Sequence, residues 1–429
     1  MAASSYDWSA SLDHVASSDV GMRRANNQDA CAISLAADED DWLEHGHLLV
    51  VVDGMGAHAA GELASKLAVD NVVHIYRKSD QMSPPEALEK AIRESNDEIH
   101  RRGEANLDFH NMGTTCSVLL LLPQGAIAGH VGDSRVYRLR GKKIEQLTFD
   151  HSLVWEMREA GQLSSKEEEN QVPKNVITRS LGPQPTVKVD LEGPFPTQHG
   201  DKFLLCSDGL TGRVADAEIG AALSVLPVEK ATTLLINLAN LRGGPDNITI
   251  VSAAVVGNEM VTSHVGAAPL TIGGQSGPRP PLHPAWWIAL GVSGLLAAAL
   301  GVANGWSWSI LPAVVFVCLA FVIGVQKADL LGATGVRLGG GRRLGKGPHR
   351  SFQVVAPPMF FDTILDILVA GRASAVERKW NSEWAEFDQH LEKARERSGA
   401  GDKTAAFESL VDASTFLANL VQQRTRASL

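Results

Sequence analysis

The sequence predicts an α/β sandwich with sheets packed inside and helices outside, followed by two transmembrane helices and a small helical C-terminal region. Three observations carry this reading. Between about Asp13 and Val256, short β-type runs (LLVVV, TCSVLLLL, GAIAGHV, SRVYRLR, KFLLC, NITIVSAAVV) are punctuated by Gly, Pro, Asp and Asn, as in an antiparallel or mixed sheet system. Gly61–Tyr76 and Pro84–Arg102 interrupt those runs with apolar residues at helical spacing, the second opening on proline. Strands with inserted helices, and more helices later, place the helices on the outside. Finally, residues 280–326 contain no Asp, Glu, Lys or Arg.

Five segments follow in order. Residues 1–256 form a catalytic domain, and 257–284, rich in Gly and Pro, a flexible linker. Residues 285–326 read as a membrane hairpin. Its two apolar runs, Ala285–Val302 and Ile310–Val325, are separated by ANGWSWS, and with their flanks each reaches the roughly 20 residues a span needs. Trp286, Trp287, Trp306 and Trp308 sit at the run ends, where interfacial aromatics belong, and Pro312 marks a first turn or mild kink. A buried hairpin in a soluble domain is the alternative, but such hairpins rarely run this long without a charge. Residues 327–358 are glycine-rich and basic (Lys327, Arg337, Arg342, Arg343, Lys346, Arg350) and read as poorly ordered up to His349. By the positive-inside rule they face the cytoplasm, so two spans put the catalytic domain and the C-terminus on that side. The basic run also suits anionic membrane lipid. Residues 359–429 read as a small helical module packing on itself, with amphipathic patterning over 359–395 and 403–425.

Composition narrows the function. A chain of 429 residues exceeds one ordinary domain. With 39 basic against 49 acidic side chains and net charge -10, there is no electrostatic case for nucleic acid. Cys31, Cys116, Cys206 and Cys318 are far apart and form no CxxC pair, which argues for free thiols in a reducing compartment. The start, MAASSYDWSASLDH, lacks the basic and apolar regions of a secretory signal.

Four aspartates end apolar runs beside turn-forming residues: Asp53 in HLLVVVDGMG, Asp133 in AIAGHVGDSRVYRL, Asp208 in KFLLCSDGL and Asp246 in GGPDNITIVSAAVV. A buried unpaired carboxylate is costly, so an acid inside a core strand is disfavoured. At a strand mouth beside glycine it is held in place and still reaches water. Four of them at one sheet edge make an all-oxygen anionic site for a hard divalent cation.

These segments resemble the metal-dependent Ser/Thr protein phosphatases of the phosphatase 2C family, in the bacterial style, from Ser18 to about Val256. The matching motifs, in order, are DVGMRRANNQDA, VVDGMGAHAAGELAS, GTTCSVLL, GHVGDSRVYRL, LTFDHSL, ITRSLG, FLLCSDGLTG and GGPDNITIV. The resemblance implies a four-layer α-β-β-α sandwich of antiparallel sheets and two Mn²⁺ or Mg²⁺ ions, with a possible third. It also implies the roles. Asp53 bridges the two ions, with the Gly54 carbonyl completing one sphere; Asp208 and Asp246 bind the other. Asp133 helps form a third, weaker position with Asp208, and Asp29 holds metal-bound water. Arg24 takes the substrate phosphate, which suits a bidentate guanidinium. The implied reaction is hydrolysis of phosphoserine and phosphothreonine by in-line attack of a metal-bridging hydroxide, without a phosphoenzyme. Its implied partners are phosphoproteins and a Ser/Thr kinase that it opposes.

No Cys-x5-Arg loop or GxSxG competes with this assignment, and Cys206 and Ser207 read as strand-end packing. The chain departs from the family's pattern at Met55 (histidine in many eukaryotic relatives), at Ala57 (glycine) and at Gln28 (glutamate in some). Of the histidines, His58 is nearest the metal loop, while His110, His130 and His151 read as structural or exposed. Asp150–Gly182, with the acidic Ser164–Asn170, corresponds to the family's flap. Two rivals remain: a membrane scaffold that binds phosphoproteins through a catalytically weak phosphatase-like domain, and a hydrolase of small phosphate esters.

Overall fold

Alternation along the strands builds two stacked sheets. The computed structural model describes residues 11–57, 59–163, 168, 171–173, 176–263, 267–272, 291–295, 298–299, 302, 313–317, 320, 336–338, 343–380 and 383–426. In the first sheet the spatial order is β1 (Leu12–Asp19), β11 (Ile248–Val255), β10 (Lys202–Cys206), β7 (Arg135–Arg140), β8 (Lys143–Gln146) and β14 (Arg350–Gln353). In the second it is β2 (Asp29–Ser34), β3 (His47–Met55), β5 (Cys116–Leu122), β6 (Gly125–Val131) and β9 (Asp190–Phe195), with the short β4 (Gly113–Thr114) also on β3. Every pairing in the two sheets is antiparallel.

Odd-numbered positions of several strands point between the sheets. Leu49, Val51, Leu119 and Leu121 of one sheet meet Phe203, Leu205, Val251 and Ala253 of the other in one buried cluster. The intervening Leu204, Cys206, Ile248 and Ile250 face outward into a second cluster under the helices. Strands buried on both faces read as continuous apolar runs, which is why β5 and β11 looked so uniformly hydrophobic. Helices α2 (Ala60–Arg77) and α3 (Pro84–Ala105) flank the second sheet; α2 packs on β2 and β3. Leu88 and Ile92 of α3 approach so close to Gly129 of β6 that a Cβ there would sit 2.9 and 3.0 Å from them. Of the shorter helices, α1 is Glu39–Glu44, α4 Leu153–Glu159 and α5 Asp208–Thr211. Helices α6 (Asp216–Val225) and α7 (Val228–Leu241) cover the first sheet. The four-layer sandwich implied by the resemblance is what forms.

The tail departs from its reading as a separate module behind a poorly ordered segment. The backbone N–H of Gly347 donates to Glu192 Oε2 at 2.7 Å, and His349 Nε2 lies 2.9 Å from Glu192 Oε1. The chain then enters β14, with Arg350 opposite Gln146 and Gln353 opposite Lys143 of β8. Beyond it, α8 (Pro357–Glu377), α9 (Trp384–Gly399) and α10 (Lys403–Arg426) do pack on one another, with Phe407 against Phe360 and Phe361. They also pack on α7. Asn237 Nδ2 donates to Ser414 Oγ (3.0 Å) and Thr415 Oγ1 (2.9 Å), and Leu234 and Leu238 share a buried cluster with Phe407, Leu410 and Leu417. The single helical pattern over 359–395 is two helices, broken at Lys379, whose φ is 54°.

The chain divides into two units, residues 1–80, 87–269 and 339–429 in one, and 81–86 with 270–338 in the other. In the second, β12 (Thr271–Ile272) pairs antiparallel with β13 (Val336–Arg337). The expected hairpin of 285–326 lies for the most part outside the described residues, and so does most of the 257–284 linker. Among the described residues no helix is long and apolar enough to cross a membrane.

Because α10 and the catalytic sheet share one core, damage to α10 should be felt by the whole unit. Phe407→Ala should cost about 3–5 kcal/mol, as large-to-small changes in cores do. In a thermal melt followed by near-UV circular dichroism, the two-sheet core should shift with it in one transition. A separate early transition that leaves the core unmoved would contradict the shared core.

Candidate metal centre and active site

The carboxylates of the site come from the same end of both sheets. Asp53 lies near the end of β3, directly opposite Asp29 at the start of β2. Asp208 follows β10 and opens α5, Asp133 falls between β6 and β7, and Asp246 precedes β11. One cavity of about 690 Å³ is lined by Arg24, Asp53, Gly54, Met55, Asp133, Asp208 and Asp246, among others. The structure thus brings every sequence-predicted residue except Asp29 to a single wall. Asp29 sits just behind, where its carboxylate accepts a hydrogen bond from Ser207 Oγ at 2.7 Å.

Close backbone approach explains the glycines beside the acids. A Cβ on Gly54 would lie 2.1 Å from the Gly61 carbonyl oxygen and 2.5 Å from that of Gln28. On Gly209, after Asp208, it would lie 1.9 Å from the carbonyl oxygen of Asn247. Only glycine lets these chains touch, and the touching aligns the acids.

Burial sets the electrostatics. Asp53 is held well above the usual carboxylate range, first by loss of water and then by the charges of Asp29, Asp208, Asp133 and Asp246. Burial likewise pushes Asp29 up to about 7. Hydrogen bonds from Ser207 and Thr249 pull it down, and the charges of Asp208 and Asp246 push it back up. Asp133 is pushed up to about 8 by burial and by the charges of Asp208 and Asp150, with Arg135 opposing. Asp208 is raised by burial and by Asp246, and moderated by a hydrogen bond with Asp53 and by Arg135 and Arg24. So many close carboxylates cannot all stay ionised without a balancing positive charge.

Among the described residues, no three His, Cys, Asp or Glu side chains are gathered tightly enough to hold an ion as they stand. The reason is visible in their partners. Asp246 Oδ2 is turned to Arg24 Nη2 at 2.8 Å, Asp29 to Ser207, and Asp208 to Asp53. The donor set nevertheless fits a hard divalent ion: it is all oxygen, the partly buried Asp53 feels the charges of four other carboxylates, and the buried Asp133 Oδ1 has no hydrogen-bond partner at all.

Several residues that place the acids escaped the sequence reading. Asn247 is buried, accepts the Gln28 N–H at 2.9 Å, and donates to the carbonyls of Val20 and Asn26, both at 3.0 Å. It thereby staples the loop bearing Arg24 to the start of β11; its only signal was its place beside Asp246. Ser207, read as packing, is a positioning residue: besides holding Asp29, its Oγ accepts the Thr249 N–H at 3.0 Å. Cys206 is a packing residue as expected, with burial pushing its thiol far above its ordinary range. The Asp53 N–H donates to Thr115 Oγ1 at 2.8 Å, which lies 2.8 Å from Ser134 Oγ.

His130 and His151, read as structural or exposed, are structural, around Gly132. The Gly132 N–H donates to His151 Nδ1 (2.9 Å), and His130 Nε2 donates to the Gly132 carbonyl (2.8 Å). With Nδ1 accepting, His151 donates from Nε2 to Asp190 at 3.0 Å, so the turn before Asp133 is clamped to β9. His58 and much of the acidic loop, 164–167 and 169–170, lie outside the described residues.

Comparison with known proteins gives the same answer as the geometry. Residues 22–239 match the family described as protein phosphatase 2C. The chain is 36% identical over 242 residues to protein phosphatase PhpP of Streptococcus pneumoniae, covering 54% of this chain and 93% of that one. It is 37% identical over 209 residues to serine/threonine phosphatase stp of Listeria innocua, covering 48% and 82%. Among solved structures it resembles the serine/threonine phosphatase PstP/Ppp of Mycobacterium tuberculosis, at 35% identity and TM-score 0.50, over 57% of this chain and 99% of that one. It also resembles the serine/threonine phosphatase of S. agalactiae, at 34% identity and TM-score 0.52, over 57% and 99%. With a profile match across half its length and relatives covered almost end to end, this chain belongs to the protein phosphatase 2C family.

Proposed function

We infer that the carboxylate-lined cavity is the catalytic centre of a metal-dependent Ser/Thr protein phosphatase, a hydrolase of phosphoserine and phosphothreonine in proteins. The observation that carries this is the partly buried Asp53 at the cavity wall, surrounded by Asp29, Asp133, Asp208 and Asp246 with too few cationic partners to balance them. Asp53, Asp208 and Asp246, with the Gly54 carbonyl, would hold two Mn²⁺ or Mg²⁺ ions. Asp133 with Asp208 would hold a weaker third, and Asp29 would orient water from behind. When bound, the ions supply charge neutralisation at the phosphoryl oxygens and activation of water near neutral pH.

The chain's own residues supply binding and orientation. Arg24 stands half-exposed at the cavity rim on the loop that Asn247 staples, with one guanidinium nitrogen on Asp246 and others to offer a phosphate. Asp19 braces the same loop from below: its Oδ1 accepts from the Gly21 N–H (2.7 Å) and from Asn240 Nδ2 (3.0 Å). Met55, where many eukaryotic relatives carry histidine, offers no proton, so the leaving oxygen must be protonated by another group. Assayed as the full chain with Mn²⁺, the protein should release phosphate from a phosphothreonine peptide, and Asp208→Asn should lower kcat/KM about a thousandfold. Tight peptide binding without turnover in the unmutated chain would instead favour a scaffold role.

The sequence supports two wider expectations. Such a phosphatase opposes a Ser/Thr protein kinase, whose substrates and own phosphorylated residues are candidate targets. The charge-free stretch 280–326, its tryptophans and the basic residues after it support anchoring by two membrane spans, with the catalytic unit on the cytoplasmic side. Deleting 285–326 should move the protein from the membrane to the soluble fraction on cell fractionation; an unchanged distribution would refute that anchoring.

A further inference from the structure

A cavity of about 690 Å³ has room for a drug-sized molecule, so a phosphoryl group beside Asp53, Asp208 and Asp246 fills only part of it. The remaining space takes whatever that phosphoryl group is attached to. The same wall also includes Met55, Ile177, Arg213 and Pro245, whose side chains are not candidate metal ligands. Of these four only Arg213 carries side-chain hydrogen-bond donors.

The fold fixes the backbone of Arg213 and leaves its side chain uncommitted. Arg213 follows α5, the helix that Asp208 opens. Its N–H donates to the Leu210 carbonyl at 3.0 Å, and its own carbonyl accepts from Arg242 Nη1 at 2.9 Å. Arg242 is held in turn by Glu218, with Nη1 on Oε2 at 2.8 Å and Nη2 on Oε1 at 2.6 Å. Glu218 Oε2 also accepts the Ala215 N–H at 3.0 Å. The turn from α5 into α6 is therefore braced against the end of α7, just ahead of Asp246. Arg213 itself is exposed, and its guanidinium has no hydrogen bond, ion pair or ring contact with any described residue. Arg24, the other arginine of the cavity, is already on Asp246 at 2.8 Å.

The charges around Arg213 decide what it meets. The wall carries Asp53, Asp133, Asp208 and Asp246 against Arg24 and Arg213, so acid exceeds base. With two divalent cations and a phosphoryl dianion seated, the wall reaches neutrality but no positive excess. Neither state favours a second acidic group, whereas a neutral carbonyl oxygen suffers no repulsion. We propose that Arg213 donates to main-chain carbonyl oxygens of the substrate beside the phosphorylated residue, and so selects phosphorylated polypeptide over small phosphate esters. This rests on the phosphatase reading and adds to it the residue that recognises the peptide. A planar fork of N–H donors suits carbonyls along an extended chain, and the fixed backbone beneath it limits the ordering that binding demands.

The test uses the full chain with Mn²⁺ and three substrates: a phosphothreonine peptide with neutral flanks, the same peptide with glutamate on either side, and para-nitrophenyl phosphate. Arg213→Ala should lower the peptide-to-ester ratio of kcat/KM about tenfold, mainly through KM for the peptide. The fall should be the same for the neutral and the acidic peptide. Arg213→Gln, which keeps neutral N–H donors, should retain part of the ratio. Because each ratio is taken within one variant, a general loss of folding or activity does not imitate the fall. An unchanged ratio in Arg213→Ala, or a fall confined to the acidic peptide, would overturn the assignment and leave the phosphatase reading standing. Failure of the unmutated chain to hydrolyse either peptide would bring down both.

Discussion

Crowding of carboxylates at one end of the sandwich is the constraint on which everything else in the catalytic unit depends. Asp53 and four acids from four other chain segments meet there, and burial with mutual repulsion opposes their ionisation. Such a cluster destabilises a fold unless something positive joins it, and the surrounding architecture exists to hold it together anyway. Asn247, Ser207, Thr115 and the two histidines around Gly132 all bond the backbone or the acids themselves. Gly54 and Gly209 let main chains approach where any side chain would collide. The stability lost at the centre is offset by the apolar core between the sheets and the one beneath α6 and α7.

The tail extends that second core. Adding β14 to the free edge of β8 satisfies backbone groups that an exposed edge would leave open. Helix α10 then covers the outer face of α7, so the buried cluster runs from the central strands out to Phe407 and Leu417. Through Arg350, the same segment reaches the neighbourhood of the active site. A chain section outside the family match is therefore structurally continuous with the catalytic unit.

How much of this was legible in the sequence depended on the range of the interaction. The strand ends and their aspartates could be read because strand alternation and the Asp-Gly pairs are local signals, and the cavity gathers those residues as expected. Asn247 and Ser207 could not be read as positioning residues, since their partners lie on loops and strands some two hundred residues away. The β14 segment was not read as a strand for the same reason: Arg350–Gln353 is short and mostly polar, and it becomes a strand only because β8 offers an edge. Helix α10 was found from its periodicity, but periodicity says that a face is apolar and not what covers it.

The central claim is that the Asp53 cluster is a cation site, and diffraction tests it most directly. Crystals of the full chain grown with Mn²⁺ and measured at the manganese absorption edge should show anomalous peaks in contact with Asp53, Asp208 and Asp246, with Arg24 drawn off Asp246. A well-ordered site with no anomalous density, and with the Arg24–Asp246 pair intact in excess Mn²⁺, would contradict it.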